Sequence, residues 1–250
     1  MVSTDMVGPA PLDDIMAGGL MCAQRWFIAC FVLSPFVYYF LDPHSDRRFP
    51  ATISWTIRKG SAKWTQHLLW GCGWGSALEA MARSGQPLWW QAFAWQFVLT
   101  GALACAVFPV GLGPAADLRH HAAALAYMLN HVPMLAHWRV PLLYQAGFYM
   151  SLSFFIGINV VQRRIKRAAG LPSHGPGTSS GELRQMLEER KKRDMKRLKG
   201  AHSEAAEEYE DGYVAPWVVT MLWWLELAEQ LLENALFMFF VFGMNRGAKA

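Results

Sequence analysis

Three glutamates, Glu226, Glu229 and Glu233, sit inside Ala215–Met244, an apolar run that contains no Lys or Arg. Their i, i+3, i+7 spacing puts the carboxylates on one face of a helix. A carboxylate at bilayer depth costs roughly 2.5–3.5 kcal/mol on insertion scales unless it is paired, wet or protonated. The stripe is therefore expected to face protein or water rather than lipid. Imidazoles are the obvious partners. Arg119, His120 and His121 stand together at the mouth of another apolar run, and His67 lies near the start of a third. An imidazole of the His120–His121 pair meeting Glu226 or Glu229 would clamp two helices together by a polar contact. The same pair could hold a polar lipid headgroup or change protonation near neutral pH. A purely structural clamp is the simpler use of these groups.

Other chemistries fit less well. Haem needs two axial ligands facing each other, usually from different helices. Here His120, His121, His131 and His137 all fall on one segment, and only His67 lies off it. That crowding also argues against a metal site built from several helices. No G-x-S-x-G or H-E-x-x-H occurs, so no hydrolase motif is present. Ser151 and Ser153 read as packing hydroxyls in an apolar run. Cys22, Cys30, Cys72 and Cys105 lie in or beside apolar runs without CxxC spacing, as small buried residues do. The expectation is no catalytic residue, no metal and no cofactor.

The elements that must position these residues are long apolar segments. Of 250 residues 53% are hydrophobic and only 17% charged, below the usual quarter for a soluble domain. The apolar residues are clustered in runs, which is a membrane signature. Six spans are predicted: Gln24–Leu41, Trp64–Met81, Leu88–Pro109, Leu118–Trp138, Val140–Val161 and Ala215–Met244. Pro35 and Pro133 bend the first and fourth. Gly71, Gly73 and Gly75 give the second a surface for close helix contact. Trp26, Trp64, Trp89, Trp90, Trp138 and Trp217 fall near span ends, where an interfacial belt would place them. The chain thus divides into a polar N-terminal tail (1–23), a five-span region (24–161), a charged loop (162–213), a sixth span (214–244) and a short C-terminal tail (245–250). Residues 1–23 have no basic stretch followed by an apolar core, so they do not read as a cleaved signal peptide.

The net charge of +4 is not read as nucleic-acid binding, because the bases flank apolar runs. Arg163, Arg164, Lys166 and Arg167 close the fifth span, and Lys191, Lys192 and Arg193 lie in a stretch of strong helix formers at 182–200. These bases are candidates for contact with anionic headgroups. An acidic block follows, and the loop could also dock a membrane-protein partner. The excess of Lys and Arg in the first and fifth loops places both loops in the cytosol by the positive-inside rule.

Three ordered segments resemble the DRAM/Frag/Sfk family of six-span membrane proteins. The loop after the first span reads Phe49-Pro50-Ala51-Thr52-Ile53-Ser54-Trp55-Thr56, similar to the family's Pro-x-Ile-Ser-Asp-Thr pattern, with Trp55 where the family has Asp. Phe108-Pro109 and then His120, with Ala124 and Tyr127 beyond it, resemble the start of the family's fourth span; His121 is the competing match. Ala228-Glu229-Gln230 ahead of LFMFFVF resembles its last span, with Gln230 where the family has Trp. The resemblance covers roughly residues 24–244. It implies a non-enzymatic role in membrane lipid organisation, autophagy or lysosomal function, or handling of lipid-anchored proteins, at an endomembrane, the lysosome or the plasma membrane. It also implies cytosolic termini, opposite to the charge argument. Outside the resemblance, the stripe of glutamates suits a small proton-coupled transporter, and the charged loop suits a structural subunit of a larger membrane complex. The expected fold class is all-α: a bundle of about six transmembrane helices with one charged loop helix.

Overall fold

The computed structural model describes residues 13–43, 45, 49–108, 110, 114–171, 180–181, 183–189, 192 and 215–248. Among these residues there are helices and no strands. Each of the six predicted segments lies in a long helix: α1 (Asp14–Phe36), α3 (Gly60–Arg83), α4 (Leu88–Ala102), α5 (Pro114–His137), α6 (Leu142–Ala168) and α7 (Pro216–Ala248). A short helix, α2 (Ile53–Thr56), interrupts the first loop, and residues 183–189 form a loop helix. Wide π turns extend α1 through Val37–Leu41 and α4 through Leu103–Val107. Two helices, Asp14–Leu41 and Pro216–Met244, are long and apolar enough on their own to cross a membrane.

The ends of these helices differ from the sequence expectation for local reasons. α1 starts ten residues before Gln24, inside the stretch expected to be a polar tail. Asp13 caps it, accepting from the Met16 amide at 2.7 Å, and Met16, Leu20 and Ala23 are buried. α6 runs past Val161 through the basic residues. It stops where Gly170 adopts φ +66° and the Leu171 amide bonds the Lys166 carbonyl at 2.8 Å, a glycine C-cap of Schellman type. α5 and α6 are joined by a tight turn in which Arg139 takes φ +51°.

Three helix pairs organise the bundle: α1 with α3, α6 with α7, and α4 with α5. α1 packs on α7 and so joins the first two pairs. Small residues set how close the helices come. A Cβ on Gly19 would overlap the Ala80 Cβ, and one on Gly73 would lie 2.5 Å from the Phe27 ring. Gly147 and Gly243 play the same part beneath Phe239 and Val140. Of the three glycines expected to make contact on α3, only Gly73 does; Gly71 and Gly75 have nothing within 4 Å and are exposed. Two residues are about half a helical turn, which sends Gly71 and Gly75 away from the face that Gly73 presents.

The core is aromatic. Trp74 meets Phe97 edge-on at 4.6 Å between centroids, and Tyr127 stacks on Phe97 at 4.7 Å. Trp90 and Trp138 belong to this core, at 5% and 0% exposure, and not to an interfacial belt; Trp64, Trp89 and Trp217 are exposed near helix ends, while Trp26 is exposed mid-way along α1, which begins at Asp14. Large apolar side chains are also exposed on all six long helices, among them Val32, Leu68, Leu99, Leu129, Phe154 and Leu231. Several polar side chains, Gln24, Gln66, Glu226 and Glu233 among them, are buried beside that apolar core.

Candidate functional site: the acidic stripe and its partners

The carboxylates of α7 turn inward, and each takes a different partner. Glu226, 6% exposed, accepts two hydrogen bonds from Ser180: the amide at 3.0 Å and the hydroxyl at 2.6 Å. Ser180 and Gly181 are helical and lead into the loop helix, so Glu226 holds that segment. Glu229, partly buried, accepts from Gln162 Nε2 of α6 at 2.8 Å, and Asn159 and Lys166 of α6 also act on it. Glu233, 4% exposed, accepts from the Ile53 amide at 2.8 Å. Ile53 is the first residue of α2, so the carboxylate meets a helix end whose amides have no partner within the helix. Thr52 caps the same end, and Gln230 Oε1 accepts from the Ala51 amide at 3.3 Å.

Glu229 takes its partners from α6. Asn159, Gln162 and Lys166 share one face of α6 and converge on that carboxylate, while Glu226 and Glu233 turn to Ser180 and Ile53. These polar positions of α6 were present in the sequence, but their convergence on Glu229 was not read from it. Lys166 is thereby corrected as a headgroup candidate. It is 9% exposed and lies within the influence of Glu229, because α6 remains helical to Ala168 and its residue 166 sits four after the buried Gln162.

The histidines go elsewhere. His120, 5% exposed, places Nδ1 2.8 Å from both the Ala104 and Phe108 carbonyls, at the π turn that ends α4. The Phe108 amide is bonded to Leu103, and residue 109 is proline, which has no N–H, so the Ala104 carbonyl has no main-chain donor four or five residues on. Nδ1–H of His120 supplies one. The expected pairing of His120 with Glu226 or Glu229 thus gives way to a cap on α4. The His121 Nδ1 lies against the Asp117 carbonyl of its own helix, and Arg119 is exposed. His67, on α3, is edge-on to Trp64 at 6.2 Å and separate from the stripe. Arg164 and Arg167 are exposed and Arg163 partly so; Lys192 is exposed, while Lys191 and Arg193 lie outside the described residues.

His131, weighed from the sequence only as a haem ligand, is the most enclosed of these histidines. It is fully buried on α5, with Nδ1 3.0 Å from the Tyr127 carbonyl and rings of Phe97, Tyr127, Phe148, Phe237 and Phe240 around it. Its Nε2 has no hydrogen-bond partner among the described residues. Another polar contact lies between α1 and α3, where the buried Cys30 thiol donates to Gln66 Oε1 at 2.8 Å. Between these two places runs a wholly apolar crevice lined by Phe27, Cys30, Phe31, Trp70, Tyr127 and Phe237, among others. Among the described residues no group of three or more His, Cys, Asp or Glu is placed to hold a metal ion.

The stripe also joins two of the three segments that carry the family resemblance. Ala51 and Ile53 of the first loop contact Gln230, which belongs to the Glu229-Gln230 pair, and Glu233 one turn beyond it, whereas the His120 segment caps α4. No family model, curated protein or solved structure matches the chain.

Proposed function

We propose that this chain is a six-span, multi-pass integral membrane protein without catalytic activity, of DRAM/Frag/Sfk type. Its role is in membrane lipid organisation, autophagy-linked lysosomal function or handling of lipid-anchored proteins. Two apolar helices and the outward apolar residues on all six long helices support the membrane reading. The observation that carries the functional reading is how the acidic stripe is used. Glu226, Glu229 and Glu233 each accept from a protein donor, and those donors belong to the loop helix, α6 and the first loop. Carboxylates occupied in this way serve as joints.

A proton-coupled carrier is the reading this use of the stripe argues against. A carrier keeps its coupling carboxylates beside a water-filled path. The test is flux in proteoliposomes under an imposed pH gradient. The proposal expects no proton-driven uptake and unchanged passive leak in Glu226→Gln and Glu229→Gln variants. Uptake that depends on either glutamate would replace this proposal with the transporter. Exposed Met186 on the loop helix favours, as a second reading, a docking arm for a membrane-protein partner. Stoichiometric co-purification of a partner, lost when residues 181–211 are deleted, is the result that reading requires.

A further inference from the structure

Four bases close α6 within five residues, and the structure divides them. Lys166 turns into the bundle toward Glu229. Arg164 and Arg167 are exposed and Arg163 is partly exposed, and none of the three has a hydrogen bond or ion pair among the described residues. They continue an outward stripe: Val160 and Val161, 46% and 45% exposed, lie four and three residues before Arg164, and Arg167 lies three after it. The same order recurs at the start of α3. Lys59 is exposed, the Lys63 ammonium stands 6.0 Å from the ring of exposed Trp64, and exposed Leu68 follows one turn deeper.

These two places share one end of the bundle. α7 contacts both adjoining loops, through Glu233 to Ile53 and Glu226 to Ser180. At the opposite end Arg83 is engaged by Glu79 at 3.4 Å. A base standing directly beyond an exposed apolar stripe lies at the depth of lipid phosphates, and an aromatic ring there matches the interface. Each Lys or Arg near an anionic membrane surface contributes about 1 kcal/mol of attraction. A nucleic acid offers phosphate too, but it leaves the apolar stripe beneath the bases unmatched.

We infer that this end of the bundle is an anchoring surface for the headgroups of anionic phospholipids, with Arg163, Arg164 and Arg167 on one flank and Lys59 and Lys63 on the other. The inference rests on the membrane reading above. It sets the orientation as well, because the anionic leaflet is the cytosolic one.

The test uses the full chain in nanodiscs of phosphatidylcholine alone or doped with phosphatidylserine. Retained lipid is read by native mass spectrometry and unfolding by heat. Phosphatidylserine is expected to raise the unfolding midpoint of the natural chain and to be retained severalfold over its share of the mixture. Both effects should vanish in the triple variant Arg163→Gln, Arg164→Gln, Arg167→Gln and persist when the three are changed to Lys. Water-soluble glycerophosphoserine should protect neither form. Equal retention by the Gln variant, or no preference for phosphatidylserine, overturns the inference while leaving the membrane reading intact. Protection by glycerophosphoserine or by an oligonucleotide equal to that by the lipid overturns it in favour of a free phosphate or a nucleic acid. Recovery of the chain as a soluble species without detergent overturns both readings.

Discussion

Glu229 and Glu233 differ in what they hold, and substitution separates their roles. Glu229 meets a side chain, Gln162, which can either donate or accept. Glu229→Gln is therefore expected to keep the bond to α6, whereas Glu229→Ala leaves the Gln162 amide without its acceptor. The loss should be roughly 0.6–2 kcal/mol, since interhelical hydrogen bonds in bilayers are modest in net worth. Thermal unfolding in detergent, with both variants beside the natural chain, checks it; equal stability of the two variants would show that the bond is idle. His131 makes the opposite case. Its Nε2 lies unpartnered among rings, so burial of that nitrogen costs more than it returns. His131→Phe is expected to be neutral or stabilising, and His131→Asn destabilising by about 1–3 kcal/mol, because an amide brings more polar atoms into the same cage. A large loss of stability in the Phe variant would mean that the Nε2 has a partner in the membrane.

At the scale of elements, the proposed membrane setting means that association cannot rely on the hydrophobic effect, because lipid tails are as apolar as leucine. Contact area and polar bonds must hold the helices together. α1 and α3 use the first. Gly19 lies so close to Ala80 that any Cβ overlaps it, so Gly19→Val should force the pair apart and lower the yield of folded protein. Gly71, one face round on α3, has open space at the corresponding point, and Gly71→Ala should leave folding unchanged. Size-exclusion profiles of the two variants in mild detergent make the comparison; matching behaviour would mean that the α1–α3 contact is looser than the structure has it. α6 and α7 use polar bonds, with Gln162 and Asn159 of α6 turned to Glu229. The π turn at the end of α4 shows how such pairing repairs a defect: the carbonyl stranded ahead of Pro109 receives its donor from His120 of α5.

For the whole molecule, α7 acts as a central post. It touches the first loop, α1, α5, α6 and the loop helix, so its carboxylates tie together segments far apart in the chain. The two loops nearest its acidic half lie at the same end, the end with exposed Arg164, Arg167 and Lys59. With that end cytosolic, a glycosylation acceptor inserted in the C-terminal tail is expected to be modified and one inserted in the loop between α6 and α7 to remain bare. The reverse pattern would uphold the orientation implied by the DRAM/Frag/Sfk resemblance and remove the charge argument. Modification of both would mean that α7 does not cross the membrane.

Long helices and an inward acidic stripe followed from the sequence alone, because period and polarity act locally: three carboxylates on one face of an apolar segment cannot point at lipid without a large cost. The partners were a different matter. Glu226 to Ser180, Glu233 to Ile53 and His120 to Ala104 join residues separated by a loop or by most of the chain, and helical periodicity says nothing about which neighbour a face will meet. The burial of Lys166 beside exposed Arg164 and Arg167 was likewise decided by packing, since one turn of helix sends adjacent bases to opposite surroundings. Helix type and face are properties of a segment; the pairing of faces is a property of the assembled bundle, where each buried acceptor must find a donor from another segment.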